Sequence, residues 1–378
     1  MKRITSFVVL LAWVASSVIA QSVTLPPSGA NQKSVVTQYI GALAHVTIVY
    51  NSPDVTSPAG EDRTGKIWGQ LVPYGMSANT FGTAKEIPWR AGANENTIFK
   101  VSHDVMVQGK TLKAGKYGLH MIPRETGTWT VIFSKNTDAW GSYFYDQKED
   151  VLRVEATPEA CEHHEWLTYE FIDRQPNSCT VALAWEKLRI PLKIELPNAN
   201  EMYVENLKGE LQGRAGFNYQ GWIAAANFAV QNDVALEDAL GWADYAVSGP
   251  FVGIEDFSSL SAKANVLAKL ERMDEAAEVM DKAIHHSSAT AFQIHGYGRQ
   301  LIALGMKDEA LKVFQYNNER YEGGWPTSVG LARGYSAVGK YKEAIKYAKM
   351  AKEQAPDKLN KDSMAQAIEK LEKGEDIN

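Results

Sequence analysis

A short segment in the first half of the chain concentrates side chains that could hold a polar ligand. Arg90, Asn94 and Glu95 surround a glycine-containing turn, and Trp89 precedes them. An arginine donates through a planar fork that fits a carboxylate or phosphate, an amide both donates and accepts, and a glutamate accepts. With Trp68 and Trp89 as apolar walls, this set predicts a site for a small polar or glycan-like ligand. The same residues also fit a structural turn, in which Arg90 pairs with Glu95 and Asn94 satisfies turn backbone.

Two histidines extend the chemistry that this region could perform. His120 lies in the middle of a predicted strand, where it could be a general base or a metal ligand, although a hydrogen-bonded structural histidine is the simpler interpretation. His103, on the predicted strand Phe99–Val107, could join it, and Glu95 would complete a set of two histidines and one carboxylate. The spacing does not require that set, so no metal or other cofactor is predicted.

Other catalytic patterns are missing from the sequence. It contains no Gly-x-Ser-x-Gly, no phosphate-binding loop and no dinucleotide-binding fingerprint. The run Glu162–Glu165 holds two adjacent histidines, whereas a zincin helix needs two histidines four residues apart. The remaining alternative to a binding function is an envelope hydrolase or metal-dependent enzyme whose site lies around Arg90, Glu95 and His120.

The elements that must position these residues are β-strands. Between residues 33 and 196, runs of β-branched and aromatic residues alternate with turn sequences about every dozen residues, which predicts an antiparallel β-sandwich. Cys179–Trp185 and Leu188–Leu196 are predicted as separate strands at its end. A longer loop-rich stretch at 51–96 interrupts the regular pattern. Long ordered loops on a rigid sheet commonly bind ligands, and this one carries most of the candidate residues.

After a linker at 197–200 the apolar period becomes helical. Three copies of one pattern recur every 34 residues, with alanines at positions 276, 310 and 344. This period is typical of tetratricopeptide repeats, in which each helix-turn-helix buries its apolar face only against its neighbours. We therefore predict a tetratricopeptide-like α-helical solenoid over residues 201–378. Its concave face would bind a peptide or protein partner.

The first twenty residues predict export. Lys2 and Arg3 precede an apolar run that ends in small residues at Ala20, as in a secretory signal peptide, and the run is too short for a membrane anchor. Loss of residues 1–20 takes the net charge from −6 to −8. An acidic chain disfavours nucleic acid and anionic membranes as partners, and no later segment is apolar enough to span a membrane. The predicted location is periplasmic or secreted, with a loose segment at 21–32.

Several sequence blocks in the predicted sandwich have a specific composition. They are Gly65–Gly69, Leu71–Gly75, Trp89–Glu95, Gly115–Met121, Trp140-Gly141 and Trp185-Glu186. Through these blocks, residues 33–196 resemble a secreted bacterial family known as domain of unknown function number 2911. The resemblance implies a β-sandwich-like domain, exported by Gram-negative bacteria and sometimes followed by helical repeats. It implies no established activity, so no functional residue is taken from it.

Together these features predict an α+β chain of two separate domains that acts as an exported binding or scaffold protein. The sandwich would hold a small ligand or dock on an envelope component, and the solenoid would hold a protein partner. An interaction protein without any small-molecule site is a further alternative. Convergence of Arg90, Glu95 and His120 in one pocket would favour the enzyme, whereas their separation would favour the scaffold.

Signal cleavage is directly testable. We expect the mature protein to begin at Gln21 and to fractionate outside the cytoplasm, because the small residues before Gln21 suit signal peptidase. Mass spectrometry of the N-terminal peptide from fractionated cells measures both properties. A mature protein that still carries Met1 would contradict the prediction.

Overall fold

A computed structural model describes residues 31–378 of the chain. The predicted signal peptide at 1–20 and most of the loose segment at 21–32 lie outside the described residues. The chain divides into two compact units, one up to Pro197 and one from Asn198 to Asn378. The first unit consists of β-strands and the second of α-helices, which confirms the predicted α+β fold.

The described part of the first unit contains twelve strands. They are β1 (Gln32–Ile40), β2 (Ala44–Ser52), β3 (Ser77–Ala78), β4 (Glu86–Ile87), β5 (Thr97–Val101), β6 (Val105–Val107), β7 (Lys110–Leu112), β8 (Gly115–Ile122), β9 (Trp129–Ser134), β10 (Asp150–Ala156), β11 (Glu159–Gln175) and β12 (Ser178–Glu195). All of their pairings are antiparallel. One sheet has the order β1-β2-β5-β8-β9-β10 and a second the order β11-β12-β6-β7, while β3 and β4 form a small pair.

The two larger sheets pack through their apolar faces. Strand β2 alternates between buried and half-buried residues, as expected when one face of a strand meets the core. Tyr50 of β2 meets Tyr169 of β11 edge to face, with ring centroids 4.8 Å apart. The Ser52 hydroxyl donates to the Leu167 carbonyl at 2.6 Å. These contacts join the sheets into the predicted sandwich.

Two of the predicted strands have different bounds in the structure. Phe99–Val107 is not one strand: it breaks at Ser102–Asp104, where the chain passes from one sheet to the other, and becomes β5 and β6. Cys179–Trp185 and Leu188–Leu196, predicted as separate strands, belong largely to the single strand β12. The turn signal between them is instead an irregularity at Glu186, whose φ of 54° is left-handed and where the register with β11 shifts.

Ten helices form the second unit. They are α1 (Ala199–Leu211), α2 (Tyr219–Asn232), α3 (Leu236–Ser248), α4 (Phe257–Lys269), α5 (Met273–His285), α6 (Ala291–Ala303), α7 (Lys307–Arg320), α8 (Trp325–Ala337), α9 (Tyr341–Gln354) and α10 (Lys358–Glu372). None of the helices within residues 31–378 is long and apolar enough to cross a membrane.

Local sequence explains where the repeat helices start and stop. Asp256 and Thr290 cap α4 and α6 through capping boxes. In each box, the capping residue and the residue three positions later accept a hydrogen bond from each other's backbone N–H through their side chains. Gly305 and Gly339 occupy the turns between paired helices with φ of 81° and 75°. Glu271 adopts the same left-handed conformation with φ of 61°, so a glycine is not required at that position.

Small residues bring the repeat helices close together. Ala310 and Ala344 are fully buried, and Ala276 is nearly so. Phe314 fills the space that glycines of two neighbouring helices leave open: a Cβ on Gly298 would lie 2.5 Å from its ring, and one on Gly330 would lie 2.6 Å away. The predicted 34-residue spacing therefore corresponds to a real layer of contacts between helices.

Ala310→Glu should loosen the repeat helices while the sandwich stays folded. The substitution buries an unpaired carboxylate at a position that is 0% exposed, which costs roughly 3 kcal/mol or more. Helical circular dichroism during thermal melting measures the effect. Ala303→Glu, at an exposed position of α6, is the matched control and should melt close to the wild type. Unchanged melting of Ala310→Glu would refute the assigned repeat register.

Candidate functional site

The segment that carries the candidate residues is a loop anchored on β8 at both ends. Trp89 and Met121 exchange backbone hydrogen bonds, both of 2.8 Å. After the loop, β5 begins at Thr97, which pairs with Leu119. Since both ends of the loop pair with one strand, residues 90–96 must leave the sheet and return to it within a short span.

Two residues of this loop hold strained backbone conformations. Ala91 and Asn94 have φ of 51° and 56°, and a left-handed conformation costs a residue with a side chain about 1 kcal/mol. The surrounding structure holds both in place. The Ala91 carbonyl accepts hydrogen bonds from the Tyr169 hydroxyl at 2.8 Å and the Thr97 hydroxyl at 3.1 Å. The Asn94 carbonyl accepts from Arg90 Nη1 at 2.6 Å.

The Arg90 side chain supports the loop and is itself supported by a neighbouring loop. Its guanidinium lies over the Tyr143 ring, 4.9 Å from the centroid. The guanidinium also occupies the space next to Gly141, since a Cβ on that residue would lie 2.3 Å from Arg90 Cζ. Arg90 forms no ion pair with Glu95 among the described residues. Glu95 Oε2 accepts from the Asn51 amide at 2.6 Å instead, so the ion pair of the structural interpretation is absent.

Four tryptophans form a cluster under this loop. Trp68 meets Trp89, Trp129 and Trp185 edge to face, with centroid distances of 5.6, 5.1 and 5.7 Å. Trp129 donates its indole N–H to the Arg124 carbonyl at 2.9 Å. The indole N–H groups of Trp68 and Trp185 are buried without an acceptor in the described part of the chain. Trp68 packs against Trp89 within this cluster.

A cleft of about 390 Å³ opens beside the loop. It is lined by Asn31, Pro53, Asp54, Pro58, Arg63, Leu71, Val72, Trp89, Arg90, Gly92, Ala93, Asn94 and Trp185. Trp89, Arg90 and Asn94 are thus brought together, whereas Trp68, Glu95 and His120 do not line this cleft.

Four lining residues with polar groups were not predicted from the sequence: Asn31, Asp54, Arg63 and Trp185. Arg63 donates to the carbonyls of Asp54 at 2.8 Å and Val55 at 3.0 Å. Asp54 places its carboxylate 3.8 Å from the same guanidinium. The sequence predicts Trp185 only as the last residue of a strand and as part of the family resemblance. No spacing rule connects these positions, because they meet only when β12 and the 51–96 stretch fold together.

His120 is a buried structural residue. It is 2% exposed, its Nδ1 is hydrogen-bonded to the Ser142 hydroxyl at 2.8 Å, and its ring meets Tyr145 edge to face. Burial, followed by repulsion from Arg90, lowers the pKa of His120 to about 4. The ring is therefore neutral near pH 7, and His120 is not among the residues that line the cleft.

The histidine pair suggested by the sequence does not form. His103 lies in the turn after β5, hydrogen-bonded to the Ser102 hydroxyl at 2.9 Å. Because Val101 pairs with Gly115, His103 and His120 lie near opposite ends of β8, roughly 17 Å apart at about 3.4 Å per residue. Within residues 31–378 no group of three His, Cys, Asp or Glu residues is arranged to hold a metal ion.

The depressed pKa of His120 predicts a pH dependence of stability. The folded state favours the neutral ring, so stability is fully present above the unfolded pKa of 6.5 and falls as the pH drops towards 4. Between pH 7 and pH 4 this residue should remove about 3 kcal/mol of folding free energy. Urea unfolding of wild type and His120→Asn, followed by tryptophan fluorescence, should show a shallower acid loss in the variant. His103→Asn is the control, because it removes a histidine that lies outside the core. If the unfolding free energy of His120→Asn fell with pH in parallel with that of the wild type, the lowered pKa of His120 would be refuted.

Comparisons with known proteins agree with both halves of the fold. Residues 31–194 match the model of the family described as Protein of unknown function (DUF2911), and residues 327–362 match the Tetratricopeptide repeat model. No curated protein matches the chain.

Two tetratricopeptide proteins are among the solved structures that are similar to part of this chain. One is YrrB, a tetratricopeptide protein with an unusual peptide-binding site: identity is 19% and the TM-score 0.30, over 45% of this chain and 86% of that chain. The other is a tetratricopeptide repeat protein from Parabacteroides merdae ATCC 43184, with 16% identity and a TM-score of 0.32, over 45% of this chain and 68% of that chain. Residues 31–194 thus match the DUF2911 family, and the tetratricopeptide repeat match follows at residues 327–362.

Proposed function

We propose that this chain is an exported two-domain binding protein. Its DUF2911 domain holds a small polar or glycan-like ligand in the cleft, and its helical repeats hold a peptide or protein partner. The observation that carries the ligand site is the strained loop, because Ala91 and Asn94 keep costly conformations while Arg90 and Asn94 line the cleft. Strain of this kind concentrates at ligand sites that the surrounding structure holds rigid.

The lining groups suit an oxygen-rich ligand. Arg90 uses Nη1 for the Asn94 carbonyl, and its other N–H groups and the Asn94 amide nitrogen have no acceptor within residues 31–378. Ligand hydroxyl or carboxylate oxygens would satisfy them, while Asp54 offers an acceptor for ligand hydroxyls. Trp89 supplies a flat apolar wall on which the C–H face of a sugar ring can pack. Donors, an acceptor and an aromatic wall together match a glycan-like ligand.

The other parts of the proposal rest on separate observations. The tetratricopeptide match at 327–362 supports a role for the repeats in binding a protein. Export rests on the order of charged, apolar and small residues at 1–20. No observation favours the enzyme, since Glu95 and His120 are engaged by Asn51 and Ser142 and do not line the cleft with Arg90.

A titration with oligosaccharides tests the cleft. The probes are short neutral oligosaccharides, amino-sugar oligosaccharides and uronic-acid oligosaccharides, and Trp89 should report binding through its fluorescence. Arg90→Ala should weaken binding about 10- to 150-fold, because it removes a charged hydrogen bond to the ligand. Its melting temperature should fall only modestly, because the variant loses the hydrogen bond to the Asn94 carbonyl but leaves no buried carboxylate without a partner. Asn94→Gly should also weaken binding, because it removes the amide but tolerates the left-handed backbone.

Arg174→Ala is the matched control, since Arg174 is an exposed residue near the β11–β12 turn. It should bind the probes as the wild type does. A large fall in the melting temperature of Arg90→Ala would favour the structural-turn interpretation and would contradict the ligand site. Absence of any fluorescence response to all three probe classes would contradict the glycan-like ligand.

A further inference from the structure

Residues after α10 fold back onto the repeats. Gly374 takes a left-handed φ of 75°, and the Glu375 N–H returns to the Lys370 carbonyl at 3.0 Å. The chain therefore reverses direction at the end of α10. Residues 375–378, which have the sequence Glu-Asp-Ile-Asn, then lie against α8. We call this segment the strap.

The strap is held by both its backbone and its side chains. The Ser336 hydroxyl donates to Asp376 Oδ1 at 2.7 Å and accepts from the Ile377 N–H at 3.1 Å. Arg333 Nη1 donates to the Ile377 carbonyl at 3.2 Å, and the Asn378 amide donates to the Arg333 carbonyl at 3.1 Å. Ser336 and Arg333 lie one turn apart on α8, so one face of this helix contacts three consecutive strap residues.

An apolar side chain anchors the strap between the polar contacts. Ile377 is half-buried and packs against two core clusters, which include Val329 of α8 and Met364 and Ile368 of α10. The strap thus combines an acidic residue, an aliphatic residue and main-chain hydrogen bonds. A bound extended peptide uses the same combination.

The helix face that holds the strap is basic and extends beyond it. Burial and then the nearby Arg299 lower the pKa of Arg333, whereas Asp376 opposes that shift. Neither arginine forms an ion pair elsewhere in residues 31–378. Arg299 is exposed on α6, and Phe292, two turns earlier on the same helix, is 65% exposed. The strap therefore covers only one end of a surface on α6 and α8.

From these contacts we propose that α6 and α8 form a peptide-binding surface and that the strap is its built-in competitor. The partner is an extended acidic segment with an aliphatic residue directly after a carboxylate, which repeats the chemistry of Asp376 and Ile377. It displaces the strap and gains further contacts to Arg299 and Phe292. The inference rests on the proposed role of the repeats in binding a peptide.

The strap sets a threshold for binding. A tethered segment competes at an effective concentration on the order of millimolar. A peptide that offers only the strap's own contacts is therefore displaced by the strap itself. A partner must therefore make additional charged or apolar contacts along α6 in order to displace the strap. The exposed part of the surface then determines which peptides bind.

A capped synthetic peptide with the sequence Gly-Glu-Asp-Ile-Asn tests the proposal. Labelled with fluorescein, it is titrated by fluorescence anisotropy against the full chain and a chain that ends at Gly374. We expect the shortened chain to bind at least about tenfold more tightly, because the tethered competitor is gone. Asp376→Lys in the full-length chain should have the same effect through repulsion from Arg333, and it keeps the chain length intact. Binding should weaken with added salt.

Further variants assign the binding to this surface. Arg333→Ala in the shortened chain should reduce binding about tenfold or more, whereas Arg272→Ala, an exposed arginine before α5, should not. A peptide in which the Asp and Ile are replaced by Asn and Ser should bind weakly. Helical circular dichroism checks that each variant is folded.

Each contrary outcome removes a defined part of the proposal. Equal binding by the full and shortened chains would show that the strap does not compete, and would leave the repeats as a peptide-binding domain. Binding by neither chain, or equal binding of the Asn/Ser peptide, would overturn the surface itself. The oligosaccharide titration uses other ligands and other variants, so it tests the cleft in the DUF2911 domain independently of the strap.

Discussion

The exchange of two backbone hydrogen bonds between Trp89 and Met121 is the contact on which the candidate cleft depends. It fixes the start of the loop beside β8, just as the pairing of Thr97 with Leu119 fixes its end. The loop then has too few residues to relax, so Ala91 and Asn94 adopt left-handed conformations. Their carbonyls point to Tyr169, Thr97 and Arg90, which makes the loop rigid before any ligand arrives. Rigid presentation reduces the entropy that a ligand must lose on binding.

The second unit is stabilised by contacts between successive helices. No single repeat can bury its apolar face, so each helix depends on the next for its core. Small residues at 276, 310 and 344 allow the helices to approach, and Phe314 fills the space that Gly298 and Gly330 leave open. The strap adds a contact of another kind, because it is extended rather than helical and is held by α8 through hydrogen bonds at Ser336 and Arg333.

The repeat unit was predictable because its signal is local and periodic. A 34-residue spacing places helices without knowledge of the fold. The candidate cleft was only partly predictable. Trp89, Arg90 and Asn94 are close in sequence and remain together, whereas Arg63, Asp54 and Trp185 join them through contacts that no spacing encodes. The prediction that placed His103 on one strand Phe99–Val107 failed because the chain leaves the sheet at Ser102–Asp104, and no glycine or proline in that segment marks the bend.

The surroundings of Phe314 limit how this array of repeats can change over evolutionary time. Gly298, Gly330 and Gly334, from α6 and α8, each leave room for the same ring. Repeat proteins commonly gain or lose units by duplication and deletion. Here a copied α6–α7 unit would carry the ring, but it would fit only next to a helix with both later glycines. The ring and its glycines must therefore be inherited as a group, and the junction between these two repeats is a poor place for recombination.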